Sequence, residues 1–203
     1  MMTPAAPRLV EAFKVATQAC ERAGPGELAR ALGAASLVVA NGGDEDAIVS
    51  ALLLPAVDAG PDALAHLSTR FGTRIGVILA ACRDDHRAAQ GAGDASTDDP
   101  AAWRASRLHR LLRLDAADDM TLLVAACDAL HRMRGLVEAL ESPEVGLDAL
   151  HTAPGSDTGV LRDAHAMATL CLRRGTPPAR ALDRAVDRLH MLAHSPMREG
   201  LDD

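Results

Sequence analysis

The chain has 203 residues, a formal net charge of −7, 48% hydrophobic residues and 24% charged residues. That length and balance suit one domain with a sizeable core and exclude a disordered chain, while the acidic surplus argues against nucleic acid and against a basic membrane-binding face. Aromatic residues are only 1% of the chain, so alanine, leucine and valine must build the core, and these pack best between closely spaced helices.

Helical periodicity dominates from the start. Leu9, Ala12, Phe13, Ala16 and Cys20 share one face of a predicted helix over 8–21. Gly24-Pro25-Gly26 interrupts it, and a second helix is expected over 27–40. Asn41-Gly42-Gly43 is a left-handed C-cap signal, and Asp44 reads as the N-cap of the next helix, with Glu45 and Asp46 in its first turn. That third helix (AIVSALLLPAV) is apolar all round, which places it in the middle of a bundle. Pro55 removes a backbone donor inside it at a cost of about 3 kcal/mol, so a kink or break is expected near Leu54.

A short helix is expected from Pro61-Asp62 to Phe71, closed by Gly72, and an apolar one over 73–82. Residues 84–99 (DDHRAAQGAGDASTDD) read as a surface loop. Pro100 starts a helix with Trp103 and the basic run RASRLHRLLR, and Asp118-Asp119 open a long helix (MTLLVAACDALHRMRGLVEALE). Two last helices are expected over 159–174 and 177–193. Cys20, Cys82, Cys127 and Cys171 are widely spaced, without a CxxC pair, and read as reduced thiols of a cytoplasmic protein. The N-terminus lacks the layout of a signal peptide, and no run is long enough to span a bilayer.

The segments AFKVATQAC, GGDEDAIVSALLLPAV, RFG and AACDALH follow in an order that resembles the HD-domain metal-dependent phosphohydrolases. The resemblance is to the (p)ppGpp hydrolase domain of alarmone synthetase/hydrolases and to the small alarmone hydrolases of bacteria. It covers about residues 9–141, with 142–203 expected to complete a single HD-like domain over 1–203. The fold expected is an all-α HD-type helical bundle of about nine or ten helices. The family relationship implies one divalent metal, usually manganese, held by a histidine in the second helix, a His-Asp pair in the buried helix and an aspartate in the long late helix.

At the positions matching that pattern the chain has Arg30, Leu54 and Pro55, and Asp58-Ala59 where the resemblance implies a Glu-Asp pair. Asp128 is the only retained ligand position, and Trp103-Arg104 keeps the start of the substrate-side helix. One carboxylate cannot hold a catalytic first-row ion, and Arg30 puts a fixed positive charge where the cation would sit, with a salt bridge to Asp128 able to replace it. The chain is therefore expected to be a degenerate HD protein with no catalytic residues, no metal site and no cofactor. Its remnant pocket would be Arg30, Leu54, Pro55, Asp58, Trp103, Arg104, Asp128 and His131. Its expected role is an interaction or regulatory module with a protein partner or in a homo-oligomer.

Two alternatives stay open. One is a manganese-dependent phosphohydrolase with a site rebuilt from Asp58, Asp128 and a nearby histidine. The other is a metal-free binder of a phosphorylated nucleotide. Other clusters have plainer readings. Asp84-Asp85-His86 reads as a solvated charge cluster, and His109 among Arg104, Arg107 and Arg110 as a solvated basic face, with a phosphate grip as its rival. Arg180, Arg184 and Arg188, interleaved with Asp183 and Asp187, read as a salt-bridged exposed helix, and His190 and His194 as part of a frayed end.

Overall fold

The computed structural model describes residues 7–57, 62–83, 100–142 and 157–193. Among these the protein is all-helical, with nine helices: α1 (Pro7–Ala23), α2 (Pro25–Ala40), α3 (Glu45–Val57), α4 (Ala63–Phe71), α5 (Thr73–Cys82), α6 (Pro100–Asp115), α7 (Asp119–Glu141), α8 (Asp157–Arg174) and α9 (Ala179–Ala193). Among the described residues no helix is long and apolar enough to cross a membrane.

Two helices organise the bundle. Ten of the thirteen residues of α3 are buried, and it packs against α1, α2, α4, α5 and α7. Ser50, the buried hydroxyl of this helix, donates to the Asp46 carbonyl at 2.7 Å, so its burial leaves no unmet donor. The other centre is α7, which α2, α3, α5, α6, α8 and α9 all contact. Alanines make these close approaches feasible: Ala12 and Ala16 on α1, Ala34 on α2 and Ala125 and Ala126 on α7 are fully buried.

Local chemistry sets most boundaries. Asp44 Oδ1 accepts from the Ala47 amide at 2.9 Å, and Asp118 Oδ1 accepts from the Thr121 amide at 2.7 Å, so both are working N-caps. The Thr121 bond also holds the Asp118 carboxyl below its ordinary value. At the α2–α3 corner Gly42 adopts φ 79°, while the Gly43 amide reaches the Val38 carbonyl at 2.9 Å and the Gly42 amide reaches that of Val39 at 3.2 Å. These paired bonds form a Schellman motif, which turns the chain into α3. Between α1 and α2 only Gly24 intervenes, at φ 99°, because Pro25 already begins the next helix. The expected interruption is therefore confined to Gly24, and the second helix starts at Pro25, earlier than the residue 27 expected.

The break expected near Leu54 is absent. Helix α3 runs through Pro55 to Val57. Pro55 stands in the last turn and deprives a single carbonyl of its partner, while Leu52, Leu53 and Leu54 are buried around it and keep the segment helical. The expected surface loop over 84–99 lies outside the described residues.

The basic run of α6 also differs from its expected solvated face. Arg110 is buried and its Nε donates to the Cys82 carbonyl at 3.2 Å, and Arg113 donates to the Arg83 carbonyl at 2.9 Å. These guanidinium groups satisfy carbonyls at the C-terminal end of α5, where positive charge is favoured. Arg104 and His109 are exposed. On α9, Arg188 pairs across the bundle with Glu141 at 2.6 Å, an inter-helix contact where pairing within α9 was expected. Arg174 at the end of α8 donates to the Ala117 carbonyl at 3.1 Å and to Asp119 at 2.9 Å, fastening α8 to the α6–α7 corner.

Candidate functional site

The centre of the site is Asp128, carried by the buried middle of α7. Arg30 comes from α2, which packs along α7, and its Nε donates to Asp128 Oδ1 at 2.9 Å. The same guanidinium reaches Glu27 Oε2 at 3.2 Å, one turn earlier on α2. Arg132, one turn after Asp128, places Nε 3.6 Å from the other carboxylate oxygen. Burial pushes the Asp128 carboxyl up, but Arg30, then Arg132 and Arg110, outweigh that effect and hold it down at about 2. The carboxylate is therefore ionised, buried and surrounded by arginine.

Beside this cluster lies a cavity of about 390 Å³ between α2, α6, α7 and α8. Arg30, Arg107, Arg110, His131 and Arg132 line it together with apolar side chains that include Met133, Leu136 and Met167. Its far wall carries Asp163, whose Oδ2 is 3.8 Å from Arg107. His131 is half-buried and rests on Gly33 of α2: a Cβ at Gly33 would fall 2.2 Å from His131 Cε1. Gly33 is thus needed to let the imidazole sit between α2 and α7. Replacing Gly33 by alanine is expected to cost about 1–2 kcal/mol in urea unfolding, although alanine favours the helix by about 1 kcal/mol. Adding His131→Ala in the same chain should recover that loss. Gly135, also on the lining, meets nothing within 4 Å of an added Cβ. Gly135→Ala should therefore stabilise the protein by about 0.5–1 kcal/mol, measured as a raised thermal midpoint.

The structure brings together Arg30, Asp128 and His131 of the expected remnant pocket. Leu54 and Pro55 are buried in α3 and do not line the cavity. Arg104 is exposed on α6 and also does not line it. Asp58 and the side chain of Trp103 lie outside the described residues, as do Asp84, Asp85, His86 and His194. Arg107, Arg110, Arg132, Asp163 and Gly33 were not marked as one site by the sequence, because they converge from four helices.

The HD-domain family matches the chain over residues 10–150, more than half of its length. The chain belongs to the HD-domain family. No curated protein matches it. The HD domain is a phosphohydrolase-like family, and the family's divalent metal can be tested against the donors present. In this HD domain no group of three or more His, Cys, Asp or Glu side chains able to hold a metal ion occurs among the described residues. The carboxylate of Asp128 is already shared between two guanidinium groups, and a divalent cation beside them would meet direct charge repulsion. Among the described residues the donors around Asp128 do not fit the metal. Cys127 and Cys82 lie in the apolar core, and burial pushes both thiols up to about 12.

Proposed function

We propose that this HD-domain protein works without a bound metal, does not hydrolyse phosphoesters at the Asp128 site, and acts as an interaction or regulatory module of one domain. The Arg30–Asp128 contact of 2.9 Å carries this reading. A guanidinium supplies there the positive charge that a divalent ion would supply, but it provides no bound water to activate and no open coordination position. The derivation of the scaffold from a (p)ppGpp hydrolase rests on the resemblance of GGDEDAIVSALLLPAV and AACDALH.

The test is metal analysis of protein purified without chelator, paired with turnover assays on (p)ppGpp and on a generic phosphodiester in excess manganese. The expected result is substoichiometric metal and turnover equal to the blank. Stoichiometric manganese with alarmone hydrolysis would overturn the reading and favour a site rebuilt with Asp58.

A further inference from the structure

The last two helices carry a pair of metal-ligating side chains outside the Asp128 site. On α8, Ala164, Met167, Ala168 and Cys171 turn into the core, and on α9 Leu182, Val186 and Leu189 do the same. His165 and His190 each follow a buried residue by one position, so they emerge at the rim where α8 and α9 pack together. Both are exposed, and their ring centroids are 5.9 Å apart with the ring planes at 71°. His190 stands four residues before His194 in the sequence, but the histidine that the structure sets beside it is His165, from another helix. The spacing suits a shared ion. Two imidazoles bound to one zinc-sized ion at about 2.0–2.1 Å hold their ring centres roughly 4.5–6.4 Å apart, for bond angles from about 90° to 180°. The observed 5.9 Å falls inside that range. The rings meet edge to face, so aiming a nitrogen of each at one point takes a side-chain rotation, which exposed residues make within nanoseconds. An imidazole has two ring nitrogens, and one can ligate while the other keeps a hydrogen bond. The charged residues one turn before the pair, Arg162 on α8 and Asp187 on α9, are opposite in sign and leave no net repulsion to a cation.

We propose that His165 and His190 form a surface site for a late first-row divalent ion, of the zinc and nickel class, which clasps α9 to α8. Imidazole suits these ions and holds manganese, at the low end of the affinity order, far more weakly. No third His, Cys, Asp or Glu joins the pair among the described residues, so water completes the coordination and binding is reversible, in the micromolar range. Neither histidine lines the cavity beside Asp128. An ion held this weakly leaves during purification, so the substoichiometric metal expected of the purified protein is unaffected. The site and the metal-free reading of Asp128 therefore stand or fall separately.

The experiment is calorimetric titration of the full chain, stripped with EDTA and then freed of it, with nickel, zinc and manganese chlorides. One equivalent of nickel or of zinc is expected to bind with a micromolar Kd, and manganese at the same concentrations to give no measurable heat. His165→Ala and His190→Ala should each weaken nickel binding at least tenfold, while His109→Ala, exposed on α6, should leave it unchanged. All three positions are exposed, so circular dichroism should show unchanged helicity. Saturating nickel should also slow amide hydrogen exchange in α9 of the wild type but not of His165→Ala. Nickel binding no tighter than millimolar, or a loss of less than tenfold in either single variant, would overturn the proposal; full retention by His165→Ala would assign the ion to His190 and His194 instead. Unchanged α9 exchange at saturation would overturn the clasp.

Discussion

Replacing Arg30 with methionine is expected to lower stability by about 3 kcal/mol, read as a shift of the urea midpoint at neutral pH. The methionine fills similar space but leaves the ionised Asp128 buried with Arg132 at 3.6 Å and the charge of Arg110 to offset it. The companion change Asp128→Leu takes the carboxylate from both Arg30 and Arg132, with Glu27 still 3.2 Å from Arg30, and is expected to destabilise as well. The double variant should be more stable than the sum of the two losses predicts, because the penalty that each single change creates at the Arg30–Asp128 contact is then not counted twice. A strictly additive cycle would show that the pair contributes no coupling.

The same pair sets an acid limb. The folded carboxyl of Asp128 is held at about 2, below its ordinary value of 3.8. The stability it contributes is therefore fully present above about pH 4 and is lost as pH falls toward 2, an effect of about 2 kcal/mol. Removing Arg30 should raise the folded value and flatten the dependence in that window. Urea titrations at pH 6, 4 and 2.5 on both proteins would measure the difference.

Leu53→Ala is the second change with a large expected effect, a loss of about 3 kcal/mol in the same unfolding assay. Leu53 is fully buried at the middle of α3, a helix packed on five others, so the space it leaves cannot collapse without moving several neighbours. Val39→Ala on α2 is the control. Val39 is 58% exposed and its truncation should change stability by less than about 0.5 kcal/mol. Equal losses at the two positions would mean that α3 is not the structural centre described above.

Residues close together in sequence were the ones whose roles could be read ahead. Asp44, Asp118, Gly42 and Gly72 mark helix ends through contacts spanning a few residues, and α5 begins and ends where its apolar run does. The all-helical fold follows from the same short-range periodicity. Pro55 misled because helix propensity prices its missing donor without knowing that Leu52–Leu54 are buried on every side. Arg110 misled for a related reason: its partner carbonyl at Cys82 is 28 residues away and belongs to another helix end.

The site shows this division more sharply. Arg30 and Asp128 are 98 residues apart, and nothing in their local patterns pairs them; only the family resemblance set them side by side. Gly33 reads as an ordinary small residue of an alanine-rich helix, and its contact with His131 emerges only when α2 lies on α7. The cavity could not be foreseen, since its walls come from helices that begin at residues 25 and 157 and from two between them.

The four cysteines carry a practical consequence. All are free and buried, on α1, α5, α7 and α8, and burial raises every one of their thiols above the ordinary value. A maleimide or disulfide dye can therefore modify them only through transient opening of the helices that cover them. Labelling kinetics followed by mass spectrometry would give the protein an internal clock for breathing motions, with four native reporters and no need to engineer a probe.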